Sequence, residues 1–116
     1  MAIKIRLITL FILLTAAFTC AFTASGQSAA GLRTVVIDPG HGGKDPGALG
    51  QNSSSHEKHI VLAVSKLLGE KIKEAYPGVK VIYTRSTDKF IGLHDRAMVA
   101  RNNNADLFIS IHCNSS

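Results

Sequence analysis

The sequence predicts an α/β fold in which a mostly parallel sheet is flanked by helices. Three short apolar runs alternate with two segments whose apolar residues recur at helical spacing. Strand–helix–strand units of this kind make right-handed crossovers, which leave consecutive strands parallel. We therefore expect a βαβαβ arrangement, and the unbroken apolar character of each strand predicts a sheet that is buried on both faces.

The first 26 residues have the order of a secretory signal peptide and are set aside from the fold. Lys4 and Arg6 precede a nearly uninterrupted apolar run over residues 7–22, and small residues follow it. A membrane-spanning helix needs roughly 20 apolar residues, and this run is shorter. An uncleaved anchor and lipid attachment at Cys20 are the alternatives. We expect an exported protein of the periplasm, cell envelope or medium, with no stable membrane span once the signal is removed.

Charge and cysteine content exclude two further classes. The formal net charge is +5, and two of the basic residues lie in the predicted signal peptide. The mature chain has no Lys/Arg cluster interleaved with aromatic residues, so nucleic acid is not an expected partner. Cys113 is the only cysteine after residue 26. An intramolecular disulfide in the mature chain is therefore excluded.

The first predicted strand and the loop after it follow a small-residue spacer at residues 27–32. Residues 34–37 form a β-branched run, which is typical of a buried strand. Asp38, Pro39 and Gly40 then provide a turn signal. Residues 40–52 are rich in glycine, so we expect a long polar loop with unusual backbone freedom.

A helix is predicted after that loop. Serines 53–55 supply capping hydroxyls, and Glu57 falls in the first turn. The helix should end before Pro77 and Gly78. Its apolar positions recur every three or four residues, at Ile60, Val61, Val64, Leu67, Leu68 and Ile72.

The remaining elements repeat the alternation. Residues 79–83 predict a second strand and residues 84–89 a loop. Residues 93–101 predict a second helix, with Leu93, Ala97 and Ala100 on one face, and residues 107–111 predict a third strand.

Two histidines and a glutamate stand where they can meet. His41 follows the first strand, His112 follows the third, and Glu57 opens the first helix. Ligands of such sheets gather at the carboxyl ends of the strands. Two imidazoles and one carboxylate form a known catalytic zinc set that leaves a position open. The same donors accept other first-row metals, so zinc is the expected ion rather than a proven one.

Each of these residues also has an ordinary interpretation. A histidine beside glycines is often a simple loop residue, and a glutamate in a first helical turn complements the helix dipole. Their common placement at strand ends favours the metal site. His56 and His59 flank Glu57 at a spacing that could chelate a metal on a helix. They and His94 are interpreted as solvent-facing, which is commoner for histidines.

Two longer motifs are more specific. The run Val-Val-Ile-Asp-Pro-Gly-His-Gly-Gly-Lys-Asp-Pro-Gly-Ala at residues 35–48 resembles the opening motif of the zinc-dependent N-acetylmuramoyl-L-alanine amidases, which act on the bacterial cell wall. Residues 110–115 resemble the second histidine motif of that family. Shorter similarities in order and spacing lie between them, at Glu57-Lys58, Thr84-Arg85, Leu93, Arg96 and residues 105–107. The resemblance covers residues 33–116.

The resemblance implies zinc ligands at His41, Glu57 and His112 and the fold already predicted. It also implies peptidoglycan as the partner and cleavage of the amide between N-acetylmuramic acid and the L-alanine of the stem peptide. The family's second catalytic glutamate matches no residue here, so no catalytic residue is assigned. We expect residues 33–116 to be the N-terminal part of an amidase catalytic domain, with little or no activity alone. An activator protein is left open.

Rival interpretations differ in strength. A His-Glu-x-x-His metalloprotease is excluded because Ile60 stands where the second histidine is needed, and a P-loop is excluded because Asp45 follows Gly43-Lys44. A non-catalytic peptidoglycan-binding or regulatory module with the same fold is the serious alternative. A purely structural glycine loop is the third. Cys113 beside His112 is expected to pack rather than bind metal, because strand alternation points it the other way.

Overall fold

The computed structural model describes residues 31–114. The predicted signal peptide at residues 1–26, most of the spacer and the last two residues lie outside the described part. Within it, two helices and three strands alternate along the chain. This confirms the predicted α/β class and the βαβαβ order.

A three-stranded parallel sheet forms the centre of the fold. Its strands are β1 (Thr34–Pro39), β2 (Lys80–Tyr83) and β3 (Leu107–Ile111), in the order β2-β1-β3. The register pairs Val36 with Ile82 on one side and with Phe108 on the other. Strand β1 is central and pairs with β3, so its carboxyl end lies beside the end of β3. The glycine-rich loop begins at this end of β1.

The two helices make the crossovers between these strands. Helix α1 (Glu57–Ala75) joins β1 to β2, and α2 (Leu93–Asn102) joins β2 to β3. The buried face of α1 combines Val61 with the small residues Ser65 and Gly69. A Cβ atom at Gly69 would overlap the Tyr83 hydroxyl, so glycine lets the helix approach the end of β2 closely.

The predicted serine cap of the long helix is wrong. Serines 53–55 form their own 3-10 turn, which is capped by the side chain of Asn52. His56 is the N-cap residue of α1, and its side chain makes no capping hydrogen bond. The side chains of Asn52 and Ser55 bind each other's backbone N–H groups. The Ser55 hydroxyl therefore stabilises this turn and not the start of the long helix.

The expectation that all three strands are buried on both faces holds only for β1. Val35, Val36 and Ile37 are buried, but Leu107 and Phe108 of β3 are each 40% exposed. Strands β2 and β3 have a strand neighbour on one side only among residues 31–114. The apolar face predicted for α2 borders an open groove against Phe108, and Leu93 there is exposed.

Among residues 31–114, no helix is both long and apolar enough to cross a membrane.

Candidate metal centre

The three residues predicted as metal ligands lie side by side at the carboxyl end of the sheet. His41 Nε2 is 3.1 Å from Glu57 Oε1, and His112 Nδ1 is 3.1 Å from that nitrogen and 3.2 Å from that oxygen. Each residue contributes one potential ligand atom to this possible metal site. We call His41, Glu57 and His112 the trio.

The donor atoms of the trio fit a zinc ion. Ligands held about 2.0–2.2 Å from a tetrahedral zinc lie about 3.3–3.6 Å from one another. The three separations of 3.1, 3.1 and 3.2 Å need to grow by only a few tenths of an ångström. Two nitrogens and a carboxylate oxygen that face each other at this distance are also the donor types that zinc prefers.

The glycine-rich loop presents His41 from an unusual backbone conformation. His41 has a φ of 58°, a region that non-glycine residues rarely adopt. Its carbonyl oxygen accepts a 2.7 Å hydrogen bond from Arg96, and its Nδ1 lies 2.9 Å from Asp45 Oδ2. Arg96 therefore holds the backbone of His41, and Asp45 holds the Nδ1 edge of its ring.

The carboxylate of Glu57 is buried and fixed by two backbone groups. Oε2 accepts from Ala48 N–H at 2.9 Å, and Oε1 accepts from Cys113 N–H at 2.8 Å. Burial raises the pKa of Glu57, but these hydrogen bonds and the nearby His41 lower it more, so the pKa lies below its ordinary value. Glu57 therefore stays ionised and ties the glycine-rich loop to the end of β3.

His112, the third member of the trio, directly follows β3. Its ring meets that of His41 edge to face, with centroids 4.9 Å apart. A Cβ atom at Gly40 would overlap this ring, so the absence of a side chain there makes room for it. The side chain of His112 is 51% exposed, which leaves the trio open on one side.

Two buried arginines hold the backbone that leads to His41, and sequence reasoning gave them no role. Arg85 is 1% exposed and donates to the carbonyls of Pro39, Gly40, Lys58 and Thr87. Arg96 is 6% exposed and donates to the carbonyls of Pro39, His41 and Ile91. Together they satisfy consecutive carbonyl oxygens that a turn would otherwise leave unpaired in the interior.

Asp38 is the anionic centre of this polar network. Its carboxylate accepts from Thr84 Oγ1 at 2.6 Å, from Arg96 at 2.7 Å and from Ser110 Oγ at 2.8 Å. Burial raises the pKa of Asp38, but the hydrogen bonds from Thr84, Arg96 and Ser110 together lower it by more. The pKa therefore lies below the ordinary value of 3.8. In the sequence, Asp38 is recognisable only as part of a turn signal and of the motif at residues 35–48.

Asp38 should make stability fall in acid. Because its pKa is lowered on folding, its contribution is fully present above about pH 4–5 and is lost as the pH falls through the folded-state value. Urea midpoints of the parent and Asp38→Asn, measured from neutral pH down to about pH 3, should converge as the pH falls. A constant gap between the two curves would contradict the assignment, and Glu70→Gln, which changes an exposed carboxylate of α1, is the control.

The other singled-out residues do not join the trio. Cys113 contributes its backbone N–H to Glu57, and its partly buried thiol lies outside the group of potential ligands. His94 is exposed, as expected for a solvent-facing residue. His56 and His59 are partly buried instead. His56 Nδ1 accepts a hydrogen bond from the N–H of Gly50 in the glycine-rich loop.

A cleft of about 340 Å³ opens beside the trio. Its apolar lining comes from the loop before α2 and the first residue of α2, namely Phe90, Ile91 and Leu93. His41, His112 and Ser110 also line it. The ammonium of Lys44 lies 4.7 Å from the centre of the Phe90 ring.

Known proteins share both the sequence and this fold. A family described as N-acetylmuramoyl-L-alanine amidase matches residues 35–116. The chain belongs to this amidase family. The N-acetylmuramoyl-L-alanine amidase AmiA of Escherichia coli is 48% identical over 86 residues, covering 74% of this chain and 29% of the relative. The sporulation-specific amidase of Bacillus subtilis is 42% identical over 81 residues, covering 70% and 31%.

Solved amidase structures agree with the architecture. The N-acetylmuramoyl-L-alanine amidase of Clostridium difficile 630 superposes with a TM-score of 0.68 at 40% identity, covering 73% of this chain and 45% of that one. The catalytic domain of CwlV from Bacillus (Paenibacillus) polymyxa gives 0.65 at 46% identity, covering 73% and 47%. The chain thus spans less than half of these amidases, and under a third of the two curated relatives described above.

Proposed function

We propose that residues 33–116 form the zinc-binding, N-terminal part of a peptidoglycan amidase. The reaction is hydrolysis of the amide between the lactyl group of N-acetylmuramic acid and the L-alanine of the stem peptide. The observation that carries this proposal is the triangle of His41 Nε2, Glu57 Oε1 and His112 Nδ1, with edges of 3.1–3.2 Å. Its occurrence in a chain of the amidase family supports a catalytic use.

The trio is the proposed ligand set for Zn²⁺. The bound ion supplies Lewis-acid chemistry, which polarises the amide carbonyl and promotes attack by water. The chain's own residues hold and orient the donors: Ala48 and Cys113 fix the carboxylate of Glu57, and Arg96 fixes the backbone of His41. Phe90 and Leu93 give the cleft beside the trio an apolar lining.

Hydrolysis also needs a base, because water must lose a proton as it adds to the carbonyl and the leaving nitrogen must gain one. The cleft beside the trio contains two further carboxylates, and both are engaged: Asp45 with His41, and Asp38 with Arg96. We therefore infer that residues 31–114 do not supply the base and that turnover by this chain alone is slow.

Peptidoglycan lies outside the cytoplasm, so the proposal requires export. The apolar run at residues 7–22, preceded by Lys4 and Arg6, has the pattern of a secretory signal and supports it. The basic composition is compatible with an anionic wall polymer. Any activator protein is left open.

Purified peptidoglycan tests the reaction. The zinc-loaded chain should slowly release stem peptides that begin with L-alanine, detected by mass spectrometry, and added formate should speed release by acting as the missing base. His41→Ala should release none under either condition, and His94→Ala is the matched control. Retention of the chain on the wall without new amino-terminal alanine, even with formate, would instead support the non-catalytic binding module.

A further inference from the structure

We propose that Asp45 is a positioning residue for the metal site, because its carboxylate holds the His41 ring in the tautomer that presents Nε2 to the other two donors. This inference rests on the proposed zinc site. Asp45 Oδ2 lies 2.9 Å from His41 Nδ1, on the side of the ring away from Glu57 and His112.

The chemistry of the two groups assigns the proton. A neutral imidazole has one N–H donor and one acceptor nitrogen, whereas an ionised carboxylate only accepts. A proton on Nδ1 donates to Asp45 at 2.9 Å and leaves the lone pair on Nε2. Nε2 lies 3.1 Å from Glu57 Oε1, which is also an acceptor, so the two carboxylates compete for the ring proton; Asp45, at the shorter distance, favours the tautomer that can bind a metal.

Asp45 is itself held in place by the loop. Its backbone exchanges two hydrogen bonds with Gly42, at 2.8 and 3.1 Å. Its second carboxylate oxygen accepts from Gly47 N–H at 3.1 Å. With the carbonyl of His41 fixed by Arg96, both partners of the contact are anchored independently, and the ring has little freedom to rotate.

Without an acceptor at Nδ1, Glu57 draws the ring proton to Nε2 and the metal-binding tautomer loses population. The form that carries its proton on Nε2 cannot donate that nitrogen's lone pair to a metal. Loss of such a partner to a ligating histidine typically weakens metal binding about 10–100-fold. We expect Asp45→Asn to show a loss of that size, because an amide offers one acceptor where His41 and Gly47 need two.

Asp88→Asn is a matched control. Asp88 also accepts from a glycine-loop N–H, that of Gly43, at 2.8 Å, and it pairs with Lys58 at 2.7 Å. It contacts none of the trio. A loss of affinity caused by general loosening of the loop should therefore occur in Asp88→Asn too, whereas loss of ring positioning should be specific to Asp45→Asn.

Two readouts test the inference. The first is zinc affinity by competition with a chromophoric chelator. The second is the ¹⁵N chemical shifts of the His41 ring in the metal-free chain, which report the tautomer without zinc. We expect a larger share of the Nδ1–H form in the parent and in Asp88→Asn than in Asp45→Asn, which should also bind zinc more weakly. Asp45→Glu, which keeps an acceptor-only group, should restore the share found in the parent.

The outcomes separate this inference from the proposed function. If the parent does not bind zinc, the proposed site fails, and the ring shifts still decide whether Asp45 selects the tautomer. If the parent binds zinc and Asp45→Asn matches it or Asp88→Asn in both readouts, the positioning role is wrong. Should Asp45→Asn fail to fold, the Asp45→Glu variant still tests the inference, because an Nδ1–H share well below that of the parent would overturn the role.

Discussion

Replacing Arg96 with methionine should destabilise the fold by about 3–5 kcal/mol, because the variant leaves the buried carboxylate of Asp38 without its cationic partner. The side chains of this pair are only 8% and 5% exposed, and they meet at 2.7 Å. The carbonyls of His41 and Ile91 would lose their donor as well, whereas that of Pro39 would keep Arg85. A loss of this size is a large share of the stability of a small domain.

Urea unfolding followed by circular dichroism measures the loss. Arg101→Met is the control, because Arg101 is an exposed arginine in the last turn of the same helix, and its loss should cost under about 0.5 kcal/mol. Equal midpoints for the two variants would contradict the role of Arg96. The double variant Asp38→Asn with Arg96→Met should lose less than the sum of the single losses, because neither charge is then left alone.

The destabilisation expected for Arg96→Met is large because the described chain has only a small apolar core. Among residues 31–114, the fully or nearly buried hydrophobic side chains are Val35, Val36, Ile37 and Val61. Arg85 is the largest of the fully buried side chains. The buried hydrogen bonds of Asp38, Arg85 and Arg96 therefore stabilise the fold where larger cores use apolar contacts. These hydrogen bonds extend to the backbone of His41.

The sequence was sufficient for the features that follow from local pattern. The β-branched run of β1 and the periodicity of α1 are signals carried by neighbouring residues, and the structure has both elements. The meeting of His41 with His112 followed from one topological rule, that parallel strands end at the same edge. No tertiary contact had to be known in advance.

The polar network could not be predicted in the same way. Arg96 and Asp38 are 58 residues apart, and Arg85 and Pro39 are 46 apart, so these contacts exist only after the crossovers are made. In the sequence, Arg85 belongs to a loop and Arg96 to a polar helix, where charged residues are ordinarily solvated. The one available signal was their place in the short family similarities, which gave no physical role.

The second large effect concerns His112, whose loss should abolish stabilisation by zinc. An ion that binds only the folded chain stabilises it by about 2.7 kcal/mol at 100 times its dissociation constant, which for a domain of this size raises the melting temperature by roughly 10–20 °C. His112→Ala removes one of three donors, so the rise should disappear. The metal-free melting temperature should change little, because the side chain is half exposed.

Comparison with two other variants makes the result specific. His94→Ala removes an exposed histidine outside the trio and should keep the full zinc-dependent rise. Glu57→Gln should lose the rise and also melt lower without metal, because its buried carboxylate binds the N–H groups of Ala48 and Cys113. A zinc-dependent rise that survives in His112→Ala would place the ion elsewhere. The separation of metal-free stability from zinc response thus distinguishes a ligand from a residue that merely supports the loop.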